Sequence, residues 1–191
     1  MIDLARILRT VVAALEQSRI DYVVVGSAAA AAWGVVRSTR DIDVVVMVDG
    51  GRFETVLEAL RTTDLYVPVD RAREAAASGG SFNVLDTAVG GKVDVFVTGP
   101  ADAFTTSRLE RRVRADVFDV PCWVASPEDV VLAKLRWRLD SRSEVQWRDC
   151  VEVASVNDLD VPYLRHWSRD LGVTDDLEDL LATTEDIRPD R

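Results

Sequence analysis

Residues 40–46 read RDIDVVV, which places two carboxylates at the start of a strongly apolar strand. Successive side chains of a strand point to opposite faces, so Asp41 and Asp43 project to one side while Ile42 enters the other. Two carboxylates on one face repel each other unless a cation lies between them, and oxygen ligands at this spacing suit Mg²⁺. Acidic residues are also common at solvated strand starts, so a metal site and an ordinary strand start both remain open.

A third carboxylate lies inside the apolar segment VDVFV, residues 93–97. Because burial of an unpaired carboxylate is unfavourable, Asp94 needs a partner or an open face. If its strand lies beside the strand of Asp41 and Asp43, the three carboxylates converge. That arrangement is typical of two-metal sites that catalyse phosphoryl transfer. The alternative is an Asp94 that is satisfied by a nearby arginine or by backbone groups.

A Gly-Ser pair joins a short apolar strand, residues 22–25, to an Ala-rich helix, residues 28–33. Gly26 allows the backbone to approach a ligand closely, and the following helix N-terminus offers N–H groups to an anion. Ser27 adds a hydroxyl donor. The pair is neither a Walker loop nor part of a G-x-G-x-x-G motif. It therefore predicts either a phosphate-binding turn or an ordinary tight turn into a helix.

The rest of the pattern predicts mixed α/β structure followed by helices alone. An amphipathic helix is expected over residues 2–18, and Ser126 with Pro127 marks a helix start. Further helices are expected at 53–61, 127–140, 143–155, 162–171 and 174–183, and further strands at 41–48, 65–69, 81–89, 92–97 and 118–124. The predicted fold class is α/β (α+β): a small mixed sheet flanked by helices over residues 1–125, with a helical C-terminal region over 126–191.

Composition limits the classes of function. The chain has 191 residues and a net charge of −10, and residues 151–191 alone contain 4 basic and 11 acidic residues. This balance argues against general nucleic-acid binding, which depends on lysine and arginine contacts to phosphate. Cys122 and Cys150 are too few for a disulfide framework or a cysteine-rich zinc site. With no secretory signal or membrane-length apolar run, a cytoplasmic protein without membrane contact is expected.

The order and spacing of these pieces resemble the nucleotidyltransferase fold typified by DNA polymerase beta. The pieces are Gly26-Ser27, the stretch RSTRDID over residues 37–43, and Asp94. The chain also resembles the bacterial branch that contains AbiEii-like and MenT-like nucleotidyltransferase toxins. That likeness depends on the segment SPEDVVLAKL, residues 126–135, and on the later Arg148-Asp149. The resemblance covers about residues 20–155.

The chain departs from that branch at two places. Relatives often have Gly-Gly where this chain has Gly26-Ser27, and a histidine where it has Trp33 before Gly34. The resemblance still implies an enzyme that transfers nucleotides, and the two departures do not themselves indicate the preferred acceptor.

The resemblance implies a role for each matched residue. Asp41, Asp43 and Asp94 would be the catalytic residues and hold two Mg²⁺ ions, with Asp94 binding the ion that activates the acceptor hydroxyl. The β- and γ-phosphates of a nucleoside triphosphate would lie on Gly26 and Ser27. Nucleotide binding would involve four more residues, Arg37, Arg40, Lys134 and Asp149. For the last two, the residues alone leave open a helix-surface lysine and a surface pair with the preceding arginine.

Likeness to MenT-like toxins implies that the acceptor is the 3′ end of tRNA, with a cognate antitoxin as partner. Phosphorylation of Ser27 would place a charge where the triphosphate belongs, and is one hypothesis for antitoxin action. A local basic surface for RNA could form from Arg108, Arg111, Arg112, Arg114, Lys134, Arg136, Arg138 and Arg142. Three alternatives remain open: a small-molecule (aminoglycoside-type) acceptor, a protein acceptor, and a non-enzymatic nucleotide-binding regulator.

Overall fold

The computed structural model describes residues 3–36, 38–48 and 51–187. Within these ranges the helices are α1 (Leu4–Gln17), α2 (Gly26–Ala32), α3 (Arg52–Arg61), α4 (Val69–Ser78), α5 (Ala103–Glu110), α6 (Pro127–Ser141), α7 (Glu144–Val156), α8 (Val161–Leu171) and α9 (Thr174–Ile187). The strands are β1 (Asp21–Val25), β2 (Asp41–Met47), β3 (Gly80–Asp86), β4 (Gly91–Thr98), β5 (Val113–Val117) and β6 (Val120–Val124).

The strands form one mixed sheet in the order β3-β4-β2-β1-β6-β5. The pairs β2–β4 and β1–β6 are parallel, and the other neighbours are antiparallel. The central strands are almost continuously apolar because a strand covered on both faces has little contact with water. In β2 the buried side chains of Ile42, Val44 and Val46 alternate with the two less buried aspartates near its start.

The helical C-terminal region packs directly against the sheet-containing part. Leu132 and Leu135 of α6 are fully buried. The indole Nε1 of Trp33 donates to the carbonyl oxygen of Ala125 at 2.7 Å, and the Asn157 amide donates to the Trp33 carbonyl oxygen at 2.9 Å. These bonds tie the end of α2 to the start of α6 and to the end of α7. The helical region therefore lies where its side chains can reach the face of the sheet to which the aspartates of β2 project.

The predicted fold class is confirmed, with a mixed sheet and flanking helices. Three local predictions were wrong. A strand was expected at residues 65–69, where the structure has a single bridge between Tyr66 and Leu85 followed by α4. The sequence patterns also missed the two short helices α4 and α5, each of which buries only two side chains. The expected strand 118–124 is instead a two-residue turn and β6, with the unexpected β5 before it.

The missed turn explains the last error. Phe118 and Asp119 both have positive φ, 52° and 58°, so the chain reverses between β5 and β6. Phenylalanine rarely adopts this conformation, and the local sequence VFDV carries no glycine or asparagine to signal a turn.

Both cysteines are free and buried. Among the described helices, none is long and apolar enough to cross a membrane.

Candidate active site

The three aspartates come together through the pairing of β2 with β4. In this parallel pair Asp43 lies opposite Asp94, and Asp41 lies opposite Lys92. Residues two apart on a strand share a face, so all four side chains project to the same side of the sheet. The sequence indicated the shared face of Asp41 and Asp43, and the structure adds the register that brings Asp94 beside them.

A cavity of about 420 Å³ opens over these carboxylates. It brings together six of the nine residues that were predicted to be catalytic, metal-binding or nucleotide-binding: Gly26, Ser27, Asp41, Asp43, Asp94 and Lys134. Arg40 is exposed and does not line the cavity. Arg37 lies outside the described residues. The cavity therefore gathers residues from β1, α2, β2, β4, α5, α6 and α7 around one acidic centre.

Gly26 is placed beside Asp43 because β1 runs antiparallel to β2, with Val25 opposite Asp43. Gly26 has φ +65°, in the left-handed region, where residues with a Cβ are strained. A Cβ at this position would lie 2.2 Å from Asp43 Oδ2. Glycine is thus required twice, for the backbone conformation of the turn and for the closeness of the carboxylate.

Asp43 is the carboxylate most affected by its surroundings. Burial, together with the negative charges of Asp41 and Asp94, raises its pKa to about 6 against the opposing effect of Lys92 and Lys134. Such a carboxylate is held in an ionised state only at a free-energy cost, because two other acids share its site. A cation placed among the three side chains would remove that cost.

The other two carboxylates have partners within the protein. Asp94 accepts hydrogen bonds from the Asn83 amide at Oδ1 and from Lys92 Nζ at Oδ2, the latter at 2.6 Å. Lys92 Nζ also lies 3.5 Å from Asp41 Oδ2, and the Thr39 hydroxyl donates to Asp41 Oδ1 at 3.3 Å. Asp94 is therefore not an unpaired buried acid, and the partner that it needed is a lysine two residues away.

These contacts bear on whether the site suits a metal ion. Within the described ranges, no three His, Cys, Asp or Glu side chains are gathered closely enough to hold one. The ammonium of Lys92 lies between two of the three carboxylates instead. The donor set still fits a divalent cation, since three carboxylates line one cavity and Asp43 gains from any positive charge there.

Lys134 and Asp149 form a buried ion pair. Lys134 Nζ lies 2.7 Å from Asp149 Oδ2 and 3.0 Å from Gln146 Oε1, and both charged side chains are at most 5% exposed. The alternatives of a surface lysine and of a surface pair for Asp149 are therefore wrong. Lys134 and Gln146 line the cavity, whereas Asp149 does not, so Asp149 acts on the cavity through Lys134.

Several cavity residues were not selected from the sequence as nucleotide-binding. Arg108 of α5 is one, and its guanidinium donates to the Thr105 hydroxyl at 3.0 Å while burial lowers its pKa. Phe96 and Trp137 are others, and they remain 42% and 67% exposed at the cavity. Periodicity offered a signal for both aromatics, because Phe96 follows Asp94 by two strand residues and Trp137 follows Lys134 by one helical turn.

The geometry agrees with comparison to known proteins. The model of one family, described as nucleotidyltransferase of unknown function (DUF6036), matches residues 3–183. The chain belongs to this family. No curated protein matches the sequence of this nucleotidyltransferase.

Solved structures share the fold of this nucleotidyltransferase at low sequence identity. An antigenic nucleotidyltransferase-like protein from Paracoccidioides brasiliensis has a TM-score of 0.62 at 17% identity, with 98% of this chain and 89% of that chain covered. ANT(2")-Ia in complex with adenylyl-2"-tobramycin has a TM-score of 0.51 at 14% identity, covering 86% and 96%. JHP933 from Helicobacter pylori has 0.51 at 15% identity, covering 95% and 79%.

The arginines that were expected to form a basic surface on this nucleotidyltransferase are largely engaged with acids. Arg112 pairs with Asp21 at 2.8 Å, and Arg114 pairs with Glu16. Three other ion pairs join Arg111 to Glu128 and to Asp160, and Arg138 to Asp176. Each pair offsets a positive charge on which the expected basic surface depended. These four arginines are therefore held in ion pairs within the protein and do not form a free basic groove.

Proposed function

We propose that this enzyme transfers a nucleotide from a nucleoside triphosphate to a hydroxyl acceptor, with Asp41, Asp43 and Asp94 as its metal-binding carboxylates. The observation that carries the proposal is the register of β2 and β4, which sets Asp43 opposite Asp94 with Asp41 on the same face. In such a reaction the acceptor oxygen attacks the α-phosphorus, the bond to the bridging oxygen breaks, and pyrophosphate leaves.

Asp41, Asp43 and Asp94 would hold Mg²⁺ ions. When bound, these ions neutralise charge on the phosphates and favour ionisation of the attacking hydroxyl. The Asp94 carboxylate is the candidate to accept the proton of that hydroxyl. Gly26 and Ser27 line the cavity next to Asp43 and support binding of the triphosphate there.

Lys134 supplies positive charge to the triphosphate, and Asp149 with Gln146 fixes the position of its ammonium. Arg108 is a second cation that lines the cavity, on the separate helix α5. Positioned cations in a partly enclosed cavity stabilise charge that develops on a leaving pyrophosphate without needing to reorganise. These residues would thus bind and orient the substrate rather than take part in covalent chemistry.

For the acceptor, charge favours a small cationic molecule. The chain carries a net charge of −10, and Arg111, Arg112 and Arg114 are paired with acids. ANT(2")-Ia, which has the same fold, was solved with adenylyl-2"-tobramycin, an adenylylated antibiotic. The tRNA 3′ end, a toxin role and an antitoxin that phosphorylates Ser27 remain predictions of the sequence resemblance, and the same experiment tests the tRNA acceptor.

The test is transfer of label from each α-³²P nucleoside triphosphate, with Mg²⁺, to an aminoglycoside panel, to total tRNA and to the protein itself. Asp41→Asn and Asp43→Asn variants are the controls. Label on an aminoglycoside that vanishes in both variants supports the proposal. Label on tRNA alone would support the toxin reading. No transfer to any acceptor, together with no binding of nucleotide, would exclude the proposal.

The exposed Trp137 ring at the cavity is the candidate to stack on the base of the nucleotide. Trp137→Ala is expected to raise the KM for the nucleoside triphosphate about tenfold, because loss of one ring that stacks on a base typically costs about 1–3 kcal/mol. Trp137→Phe keeps an aromatic face and is the matched control, with an expected KM within about twofold of the unchanged enzyme. Since Trp137 is 67% exposed, neither variant should alter the melting temperature appreciably. An unchanged KM in the alanine variant would contradict a role in nucleotide binding.

A further inference from the structure

The chain contains only two lysines, and both line or adjoin the acidic cavity. They are Lys92 and Lys134, and the rest of the 23 basic residues are arginines. Lys134 has its own partners in the buried Asp149 and the half-buried Gln146. Lys92 has none of this kind, and its contacts are with the catalytic carboxylates themselves.

Lys92 reaches these carboxylates because of its place in the sheet. It precedes Asp94 by two residues on β4, so both side chains share a face, and it lies opposite Asp41 on β2. Its Nζ is 2.6 Å from Asp94 Oδ2 and 3.5 Å from Asp41 Oδ2. The Lys92 side chain is 35% exposed, so its ammonium can move into solvent without opening a cavity in the protein interior.

With Lys92 in this position, the carboxylates of Asp41 and Asp94 already have a cation beside them. The Asn83 amide donates to Asp94 Oδ1 and the Lys92 ammonium contacts Oδ2, so a second cation at this carboxylate would share its oxygens with both groups. A divalent ion held by Asp41 and Asp94 would lie close to the Lys92 ammonium, and repulsion between the two positive charges would favour departure of the ammonium.

We propose that Lys92 is an internal counter-ion, which holds Asp41 and Asp94 together in the metal-free enzyme and is released when a divalent cation binds. It is a positioning residue, since it acts through the carboxylates. The proposal rests on the metal binding assumed in the proposed function. Metal binding then becomes an exchange of one cation for another, and this exchange lowers the affinity for free metal. When no metal is bound, the Lys92 ammonium reduces the repulsion between the carboxylates.

The first test is calorimetry of Mn²⁺ binding to the unchanged protein, to Lys92→Met and to Lys92→Arg. Lys92→Met removes the competing charge but keeps a chain of similar length, and should bind Mn²⁺ about tenfold more tightly. Lys92→Arg keeps the charge and should bind no more tightly than the unchanged protein. Asp43→Asn should abolish binding. A circular-dichroism melt of each variant verifies that it is folded.

The second test follows the lysine itself in the unchanged protein. Labelling with [ε-¹³C]lysine gives one NMR signal for each of the two lysines, and Lys92→Arg removes one of them and so assigns it. Saturation with Mg²⁺ should move the Lys92 signal towards that of a free, solvated lysine, while the Lys134 signal stays near its original position.

Each failure has a separate meaning. If the unchanged protein binds Mn²⁺ through Asp43 but Lys92→Met binds no more tightly, or the Lys92 signal stays fixed at saturating Mg²⁺, the counter-ion proposal is overturned while the proposed function stands. If no Mn²⁺ binds to any of these proteins, the metal role of the carboxylates and the counter-ion proposal are both overturned.

Discussion

Asp43→Asn is expected to lower nucleotidyl transfer about a thousandfold and, at the same time, to make the metal-free protein more stable at about pH 8. The loss of activity follows from removal of the central carboxylate of the site. The gain in stability follows because burial and two neighbouring acids raise the pKa of Asp43 to about 6. A merely damaged protein would lose both activity and stability, so the opposite signs distinguish the two cases.

The pH dependence of that gain has a definite direction. The carboxyl binds its proton more tightly in the folded protein than at the ordinary pKa of 3.8, so ionisation destabilises the fold as pH rises from about 4 through 6. In full, this shift corresponds to about 3 kcal/mol, and partial exposure to solvent reduces the expected gain to about 1–2 kcal/mol. The gain should be complete at about pH 8 and absent below about pH 4.

Urea unfolding with a chelator present, at three pH values across this range, measures the effect. The unchanged protein and Asp43→Asn should have converging midpoints at the acidic end and separate midpoints at the alkaline end. If Asp43→Asn were less stable than the unchanged protein at about pH 8, the claim that the ionised Asp43 carboxylate destabilises the metal-free fold would be wrong.

Gly26→Ala is expected to reduce transfer about a hundredfold and to destabilise the fold by about 1–3 kcal/mol. The alanine Cβ would lie 2.2 Å from Asp43 Oδ2, so either the turn or the carboxylate must move. Positive φ at this residue adds a backbone cost that alanine bears and glycine does not. Transfer assays and urea unfolding measure the two effects.

Gly90→Ala is the matched control. Gly90 also has positive φ, +80°, but a Cβ there would meet no atom within 4 Å. It should therefore show the backbone cost alone, about 1 kcal/mol, with transfer activity unchanged. If both variants lost activity equally, the collision with Asp43 would not be the cause. If Gly26→Ala kept full activity, the close approach of turn and carboxylate would have no functional role.

The patterns that repeat at short range could be predicted from the sequence. Alternation placed Asp41 and Asp43 on one face of β2, and the cap and proline at Ser126 and Pro127 located the start of α6. The Gly-Ser turn was also located correctly, although its helix begins at Gly26 itself. Each of these depends on neighbours within a few residues, so local physics is enough to determine it.

The features that depend on distant partners could not be predicted. The strand of Asp94 was expected, but its register against β2 brings together residues about fifty positions apart. Arg112 and Arg114 find their acids, Asp21 and Glu16, more than ninety residues earlier, so the loss of a basic surface was invisible in the linear charge pattern. Lys92 was read only as part of a strand, because its contact with Asp41 exists only in the folded sheet.

The parallel pairing of β1 with β6 has a consequence for how the chain reaches its native state. Val24 pairs with Val124, so β1 obtains its second neighbour only after about a hundred further residues have been synthesised. Contacts between such distant segments form slowly, since a long loop must close before they are gained. The Gly26 turn follows directly from β1, so we expect it to become ordered late. A nascent chain that ends before β6 would then carry the three aspartates without a finished pocket.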